Sequence, residues 1–271
     1  MGRPVRISLF IPPTRLAQYS AVRDQVKAAE ETGADILLGY DHFFPPEVVG
    51  FENGAPLLAD VQPDLPNFEP LTALAAWAEQ TSRAELGLLV TGIGYRNPDL
   101  LADIARTIDH ISGGRHILGL GAGWYEKDYA EYGYEFGTFT TRFKLFEESL
   151  ARIKARFEKL NPAPTRHIPI LIGGTGEKKT LPLVAKYADI WHSFGDLETL
   201  RRKKDVLGGL LEQNGRAGEA VEISQNWPGI DQADAYVEAG TTLFNADYRL
   251  DDPSKVELVR EIIAWRDKAN G

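Results

Sequence analysis

Residues 85–121 read ELGLLVTGIGYRNPDLLADIARTIDHISGGRHILGLG, and they hold one full period of the chain's pattern. Glu85–Thr91 is a short apolar run without polar alternation, as a strand buried on both faces of a parallel sheet requires. Asn97-Pro98 supplies a helix cap and a proline for the first turn. Leu100, Leu101, Ile104, Ala105, Ile108 and Ile111 then recur at helical spacing. His116–Gly121 is the next apolar run. The stretch therefore predicts strand, helix, strand.

The same period extends in both directions. Further strands are predicted at Val5–Ile11, Ala34–Gly39, Ile168–Gly173, Asp189–Phe194, Val221–Ser224 and Thr242–Asn245. Phe143, Phe146, Leu150, Ile153 and Phe157 mark a long helix. Val256, Val259, Ile262, Ile263 and Trp265 mark the last one. Eight β-then-α units favour an α/β fold of the closed (β/α)8 TIM-barrel type over an open doubly wound sheet, read as one domain over residues 1–271. Phe43–Asn67 breaks the rhythm with prolines, glycines and acidic residues. It is expected to be a long loop after the second strand, lying over the barrel mouth.

Composition narrows the function. The net charge of −9 argues against a general nucleic-acid binder, which needs a basic field. The absence of cysteine excludes disulfides, thiolate catalysis and cysteine-ligated metals. No stretch approaches the roughly 20 apolar residues of a membrane span. No signal peptide is apparent at the start, so a cytoplasmic protein is expected. The five histidines are scattered without metal-ligand spacing, so no metal site is expected. No Gly-x-Ser-x-Gly elbow or serine triad is present.

The chemistry-bearing groups fall at the carboxyl ends of the predicted strands, where barrel enzymes place their sites. Asp41-His42 follows the second strand. A carboxylate beside an imidazole can hold a ligand and move a proton, or simply cap and pack. Gly119-Leu-Gly121-Ala-Gly123-Trp124 lacks the third glycine of a dinucleotide fingerprint at the right place, so a Rossmann site is rejected. Small residues before a bulky aromatic suit either a flat ring against backbone or a glycine-rich bend needed for packing. Gly173-Gly-Thr-Gly-Glu-Lys178 ends a strand and opens a helix. It is not a Walker A loop, but backbone N–H groups and lysines there favour a phosphate. His192 ends the next strand and is the candidate on the substrate side, while Trp191 is expected to pack.

Together, Tyr40-Asp-His-Phe-Phe-Pro45, Thr81-Ser-Arg-Ala-Glu-Leu-Gly87, Tyr95-Arg-Asn-Pro98, Ser112-Gly-Gly-Arg115, Leu118-Gly-Leu-Gly-Ala-Gly-Trp124, Tyr132-Gly-Tyr-Glu-Phe136 and Ile172-Gly-Gly-Thr-Gly-Glu-Lys178 resemble the bacterial-luciferase-like superfamily of flavin and deazaflavin oxidoreductases. Asp-His-Phe and Gly-Ala-Gly-Trp place the resemblance nearest its coenzyme F420-dependent branch. The resemblance implies a (β/α)8 barrel, F420 as cofactor with FMN as the alternative, a small-molecule substrate and a homodimer. It implies a non-prolyl cis peptide at Leu89–Val90, with Leu89, Val90 and Thr91 forming a bulge beneath the ring. It further implies that His42 is the active-site acid or base and that Asp41 bonds near the ring. Gly121, Ala122, Gly123 and Trp124 would hold the ring, and Gly173, Gly174, Thr175, Gly176 and Lys178 the phosphate. Two other functions stay open: an FMN-dependent monooxygenase, and a non-catalytic flavin- or deazaflavin-binding barrel.

Overall fold

A computed structural model describes residues 3–12, 16–52, 55–62, 64–217 and 221–271. Its elements in chain order are β1 (Arg6–Phe10), α1 (Tyr19–Glu31), β2 (Ile36–Gly39), β3 (Val48–Glu52), β4 (Ala55–Leu58), α2 (Pro70–Gln80), β5 (Glu85–Leu88) and β6 (Thr91–Gly92). There follow α3 (Pro98–Ser112), β7 (His116–Gly121), α4 (Glu126–Glu131), α5 (Phe139–Phe157), β8 (Ile170–Gly173), α6 (Thr180–Tyr187) and β9 (Ile190–His192). The chain ends with α7 (Leu197–Gln213), β10 (Glu222–Asn226), α8 (Ile230–Glu238), β11 (Thr241–Asp247) and α9 (Pro253–Asn270).

The strands β5-β2-β1-β11-β10-β9-β8-β7 lie side by side, every pair parallel, and β5 pairs back onto β7. This is the closed eight-stranded barrel with helices between its strands that the sequence predicts. The closing seam depends on glycine. A Cβ at Gly87 would stand 2.4 Å from the Ile117 carbonyl oxygen, and one at Gly119 only 1.9 Å from that of Leu88. No side chain fits there, so β5 and β7 approach only because both positions lack one.

A charged layer and an apolar layer fill the lower part of the barrel. At the amino-terminal end, Arg6 donates to Glu85 at 2.6 Å and to Glu222 at 2.5 and 3.1 Å, while Arg166 pairs with Glu85 at 2.6 Å. Above them Ile36, Leu38, Ile117, Leu171, Ile190 and Leu243 form an apolar plug, with Phe10, Leu89 and Val90 packed against it. The outward faces of the strands join the helices in the larger core. The Asn97 cap behaves as predicted: its side chain accepts from the Asp99 N–H at 2.9 Å. Gly113 ends that helix with a left-handed φ of 66°.

Two expectations change. The third strand does not run unbroken to Thr91. It divides at Leu89-Val90, whose peptide bond is cis, as the resemblance implied. The segment after β2 is not structureless: β3 and β4 pair as an antiparallel hairpin. Gly50 and Pro56 within these strands erase the alternation by which a hairpin is recognised. Residues 53, 54 and 63 of that segment lie outside the described residues. The hairpin segment does reach the barrel mouth. Gln62 accepts from the Tyr125 hydroxyl at 3.3 Å, and the Asn67 amide donates to the carbonyls of His42 and Phe43 at 2.6 and 3.1 Å.

Candidate active site

His42 stands just past β2, and its ring is steered by a residue the sequence reading did not name. Asp128, fully buried in the short helix α4, lies 2.6 Å from His42 Nδ1. The same carboxylate accepts from the N–H groups of Phe43 and Phe44, both at 2.9 Å, and from the Tyr95 hydroxyl at 2.8 Å. A carboxylate only accepts, so Nδ1 carries the proton in this contact and Nε2 is the nitrogen that Asp128 leaves unengaged. Burial, reinforced by Asp128, pushes the Tyr95 hydroxyl far above its ordinary pKa, so it stays an O–H donor. Trp124 and Tyr125 pack edge-on against the imidazole at 5.2 and 5.6 Å.

Asp41 is also claimed by an unforeseen partner. Arg96 donates to both its oxygens, at 2.5 and 3.0 Å, and reaches Glu69 at 2.5 Å. Burial pushes the Asp41 carboxyl up, against the pull of the Arg96 guanidinium. The pair ties the end of β2 to the start of α3. Tyr95 and Arg96 belong to a segment already noticed as family-like. Asp128 carried a weaker signal, its place four residues after Trp124 at a helix start.

Across the mouth, Val90 meets the strand ends of β7 and β8. A Cβ on Gly121 would lie 2.7 Å from the Val90 side chain, and one on Gly173 at 3.6 Å. A Cβ on Gly123, at φ +80°, would meet the Tyr129 hydroxyl at 2.0 Å. These glycines thus make room for the protein's own Val90 and Tyr129, the packing alternative that the sequence left open. Ala122 is partly buried against the outer core, and Trp124 is 40% exposed at the mouth.

His192 is buried at the end of β9, registered between Gly173 on β8 and Ser224 on β10. Its Nδ1 lies 2.9 Å from the Ser224 hydroxyl. Burial lowers its pKa to about 4, so the ring is neutral at pH 7. Its Nε2 and the Thr91 hydroxyl are buried polar atoms without a hydrogen-bond partner among the described residues. Trp191 packs outward as expected and donates to the Gly174 carbonyl at 2.7 Å. In the turn before α6, Lys203 donates to the Thr175 carbonyl at 2.5 Å and Glu177 pairs with Arg202 at 2.7 Å. Gly176 and Lys178 are exposed there.

Among the described residues no helix is long and apolar enough to cross a membrane, and no group of three His, Asp or Glu is placed to hold a metal ion.

The arrangement is a histidine–aspartate pair at the carboxyl end of a parallel barrel, and known proteins share that barrel. The structure superposes on the coenzyme F420-dependent tetrahydromethanopterin reductase of Methanopyrus kandleri with a TM-score of 0.71 at 14% identity, covering 96% of this chain and 97% of that one. The oxygenating constituent of 3,6-diketocamphane monooxygenase from Pseudomonas putida, in complex with FMN, matches with a TM-score of 0.60 at 17% identity over 82% of this chain and 67% of its own. At these identities the likeness is one of fold. In sequence, the phthiodiolone/phenolphthiodiolone dimycocerosates ketoreductase of Mycobacterium tuberculosis is 32% identical over 187 residues, 68% of this chain. That match covers 47% of the ketoreductase, and other curated relatives are also matched over less than half their length. The family model described as luciferase-like monooxygenase matches residues 5–230. The chain belongs to the luciferase-like monooxygenase family.

Proposed function

We propose that this protein is a coenzyme F420-dependent oxidoreductase that interconverts a carbonyl compound and its alcohol, with His42 as the proton partner. The observation that carries the reading is the His42–Asp128 pair at the barrel mouth. The residues present fit a flat ring with polar edges. Phe10, Leu89 and Val90 offer an apolar floor, and the unpartnered His192 Nε2 and Thr91 hydroxyl offer hydrogen bonds at strand ends. Gly121, Ala122, Gly123 and Trp124 border that floor, while Gly173, Gly174, Thr175, Gly176 and Lys178, backed by Lys203, would hold the phosphate. Bound F420 supplies hydride exchange with the substrate carbon. Asp128 fixes the imidazole so that Nε2 takes the hydroxyl proton of an alcohol or, once protonated, returns it to a carbonyl oxygen. Asp41 acts by holding Arg96 and the backbone beside His42.

Three points support this choice. The Asp-His-Phe and Gly-Ala-Gly-Trp segments resemble the F420 branch. The M. kandleri enzyme matches over nearly the whole of both chains. The ketoreductase relative, by its name, reduces a ketone. An FMN-dependent monooxygenase is the second reading, favoured by the FMN-bound neighbour on the same fold. Titrating purified protein with F420 and with FMN decides between them. Micromolar F420 binding with a lifetime-resolved change in deazaflavin fluorescence is expected; FMN binding alone would overturn the proposal. His42→Ala that still binds F420 but has lost turnover would separate an enzyme from a storage barrel.

A further inference from the structure

Residues 42–44 have left the ladder of β2, and among the described residues none of their backbone groups finds a backbone partner. Partly buried peptide groups need partners from elsewhere. Two side chains supply them. Asp128 accepts from the N–H groups of Phe43 and Phe44. Asn67 donates through Nδ2 to the carbonyls of His42, at 2.6 Å, and of Phe43, at 3.1 Å. Asn67 Oδ1 is buried without a hydrogen-bond partner among the described residues, so the two donated bonds alone orient the amide. A flipped amide would set Oδ1 against two carbonyl oxygens. Asn67 is itself held firmly. Next to it, Phe68 packs edge-on against Tyr19 at 5.5 Å. Two residues on, Glu69 caps α2 through the Thr72 N–H at 2.6 Å and bonds Arg96 at 2.5 Å.

We propose that Asn67 is a positioning residue for His42: it fixes the backbone from which the imidazole projects, as Asp128 fixes the ring. Its bearing on turnover rests on the proton role proposed for His42. A ring anchored at one end only would swing about its hydrogen bond to Asp128. Anchored at both, it keeps Nε2 in one place, as a site built to move a proton requires.

The test is the exchange rate of the His42 Nδ1 proton with water, measured by NMR on the full chain without cofactor or substrate. A hydrogen bond shifts a local equilibrium by about fivefold. Losing both in Asn67→Ala is therefore expected to raise local opening, and with it Nδ1–H exchange, on the order of 25-fold. Asn67→Asp keeps the size but turns an acceptor toward the carbonyls, and is expected to be at least as severe. Asn67→Ser retains one donor and is expected near fivefold by the same rule; it reads the same bond should the other variants fail to fold. Gln62 clasps the base of the hairpin through Glu47 and Ala59 but does not bond residues 42–44. Gln62→Ala is expected to change the rate less than about threefold, under the effect of one bond. Wild-type exchange in Asn67→Ala or Asn67→Asp would overturn the proposal. So would an equal rise in Gln62→Ala, since general loosening of the segment would then explain it. With no cofactor present, failure to bind F420 would sink the hydride-transfer reading separately and leave the measured anchoring of His42 standing.

Discussion

Asp128 shows how one residue sets the chemistry of another. Its Oδ1 accepts two backbone N–H groups, and its Oδ2 faces His42 and Tyr95. In Asp128→Asn those N–H groups keep the oxygen on their side, so the amide NH2 faces His42 and drives the imidazole to its Nε2–H form. Turnover is expected to fall on the order of 100-fold, within the usual range for a lost acid–base group, with the F420 dissociation constant changed less than about threefold. Histidine 15N chemical shifts read the tautomer directly; an unchanged tautomer and rate would refute the role. Two other histidines govern acid stability. Burial lowers His116 and His192 to about 4, while an unfolded chain protonates histidine near pH 6.5. Between those values the unfolded state binds the extra protons, so stability falls as pH drops through that window, by on the order of 3 kcal/mol for each histidine. Urea midpoints measured from pH 7 to pH 4 should show this slope, and His116→Gln or His192→Gln should flatten it. That His192 is buried and neutral was not legible in the sequence, because its surroundings come from β8, β10 and Phe194.

At the scale of the element, the most readable features were those written within a few residues. The α3 cap and its apolar stripe both follow from local spacing. The role of the glycines in β7 did not, because the atoms they admit belong to β5 and to Val90. This separates glycines that look alike. Gly119→Ala would thrust a methyl group into the Leu88 carbonyl and is expected to cost about 3 kcal/mol or more, at or beyond the upper end for overpacking. Gly208, inside α7 with open space around it, is the reverse case: Gly208→Ala is expected to stabilise by about 0.5–1 kcal/mol through helix propensity. Thermal or urea melts of both variants test the pair, and equal effects would show that the β5–β7 seam yields more easily than its geometry implies. The hairpin β3–β4 escaped the sequence reading because period-two alternation fails where glycine and proline interrupt it.

Across the whole molecule, Arg6 joins three strands that are far apart in the chain, since it donates from β1 to Glu85 on β5 and Glu222 on β10. Both carboxylates strengthen its charged form, against the effect of burial. Arg6→Leu would leave the buried Glu222 short of its main partner and is expected to destabilise by about 3–5 kcal/mol, as broken buried pairs do; chemical denaturation measures it. The homodimer implied by the family resemblance predicts light scattering at twice the 30.0 kDa chain mass. The eight-unit alternation, which favours a barrel over an open sheet, was legible in the sequence alone, because helix and strand periods are local properties that closure preserves; the β5–β7 pairing that closes the sheet was not. The tertiary structure alone decided which groups act together: His42 with Asp128, 86 residues away, Asp41 with Arg96, 55 away, and Val90 against Gly121 and Gly173. Those meetings depend on where barrel closure brings each strand end, and chain spacing carries no record of a distance across the mouth.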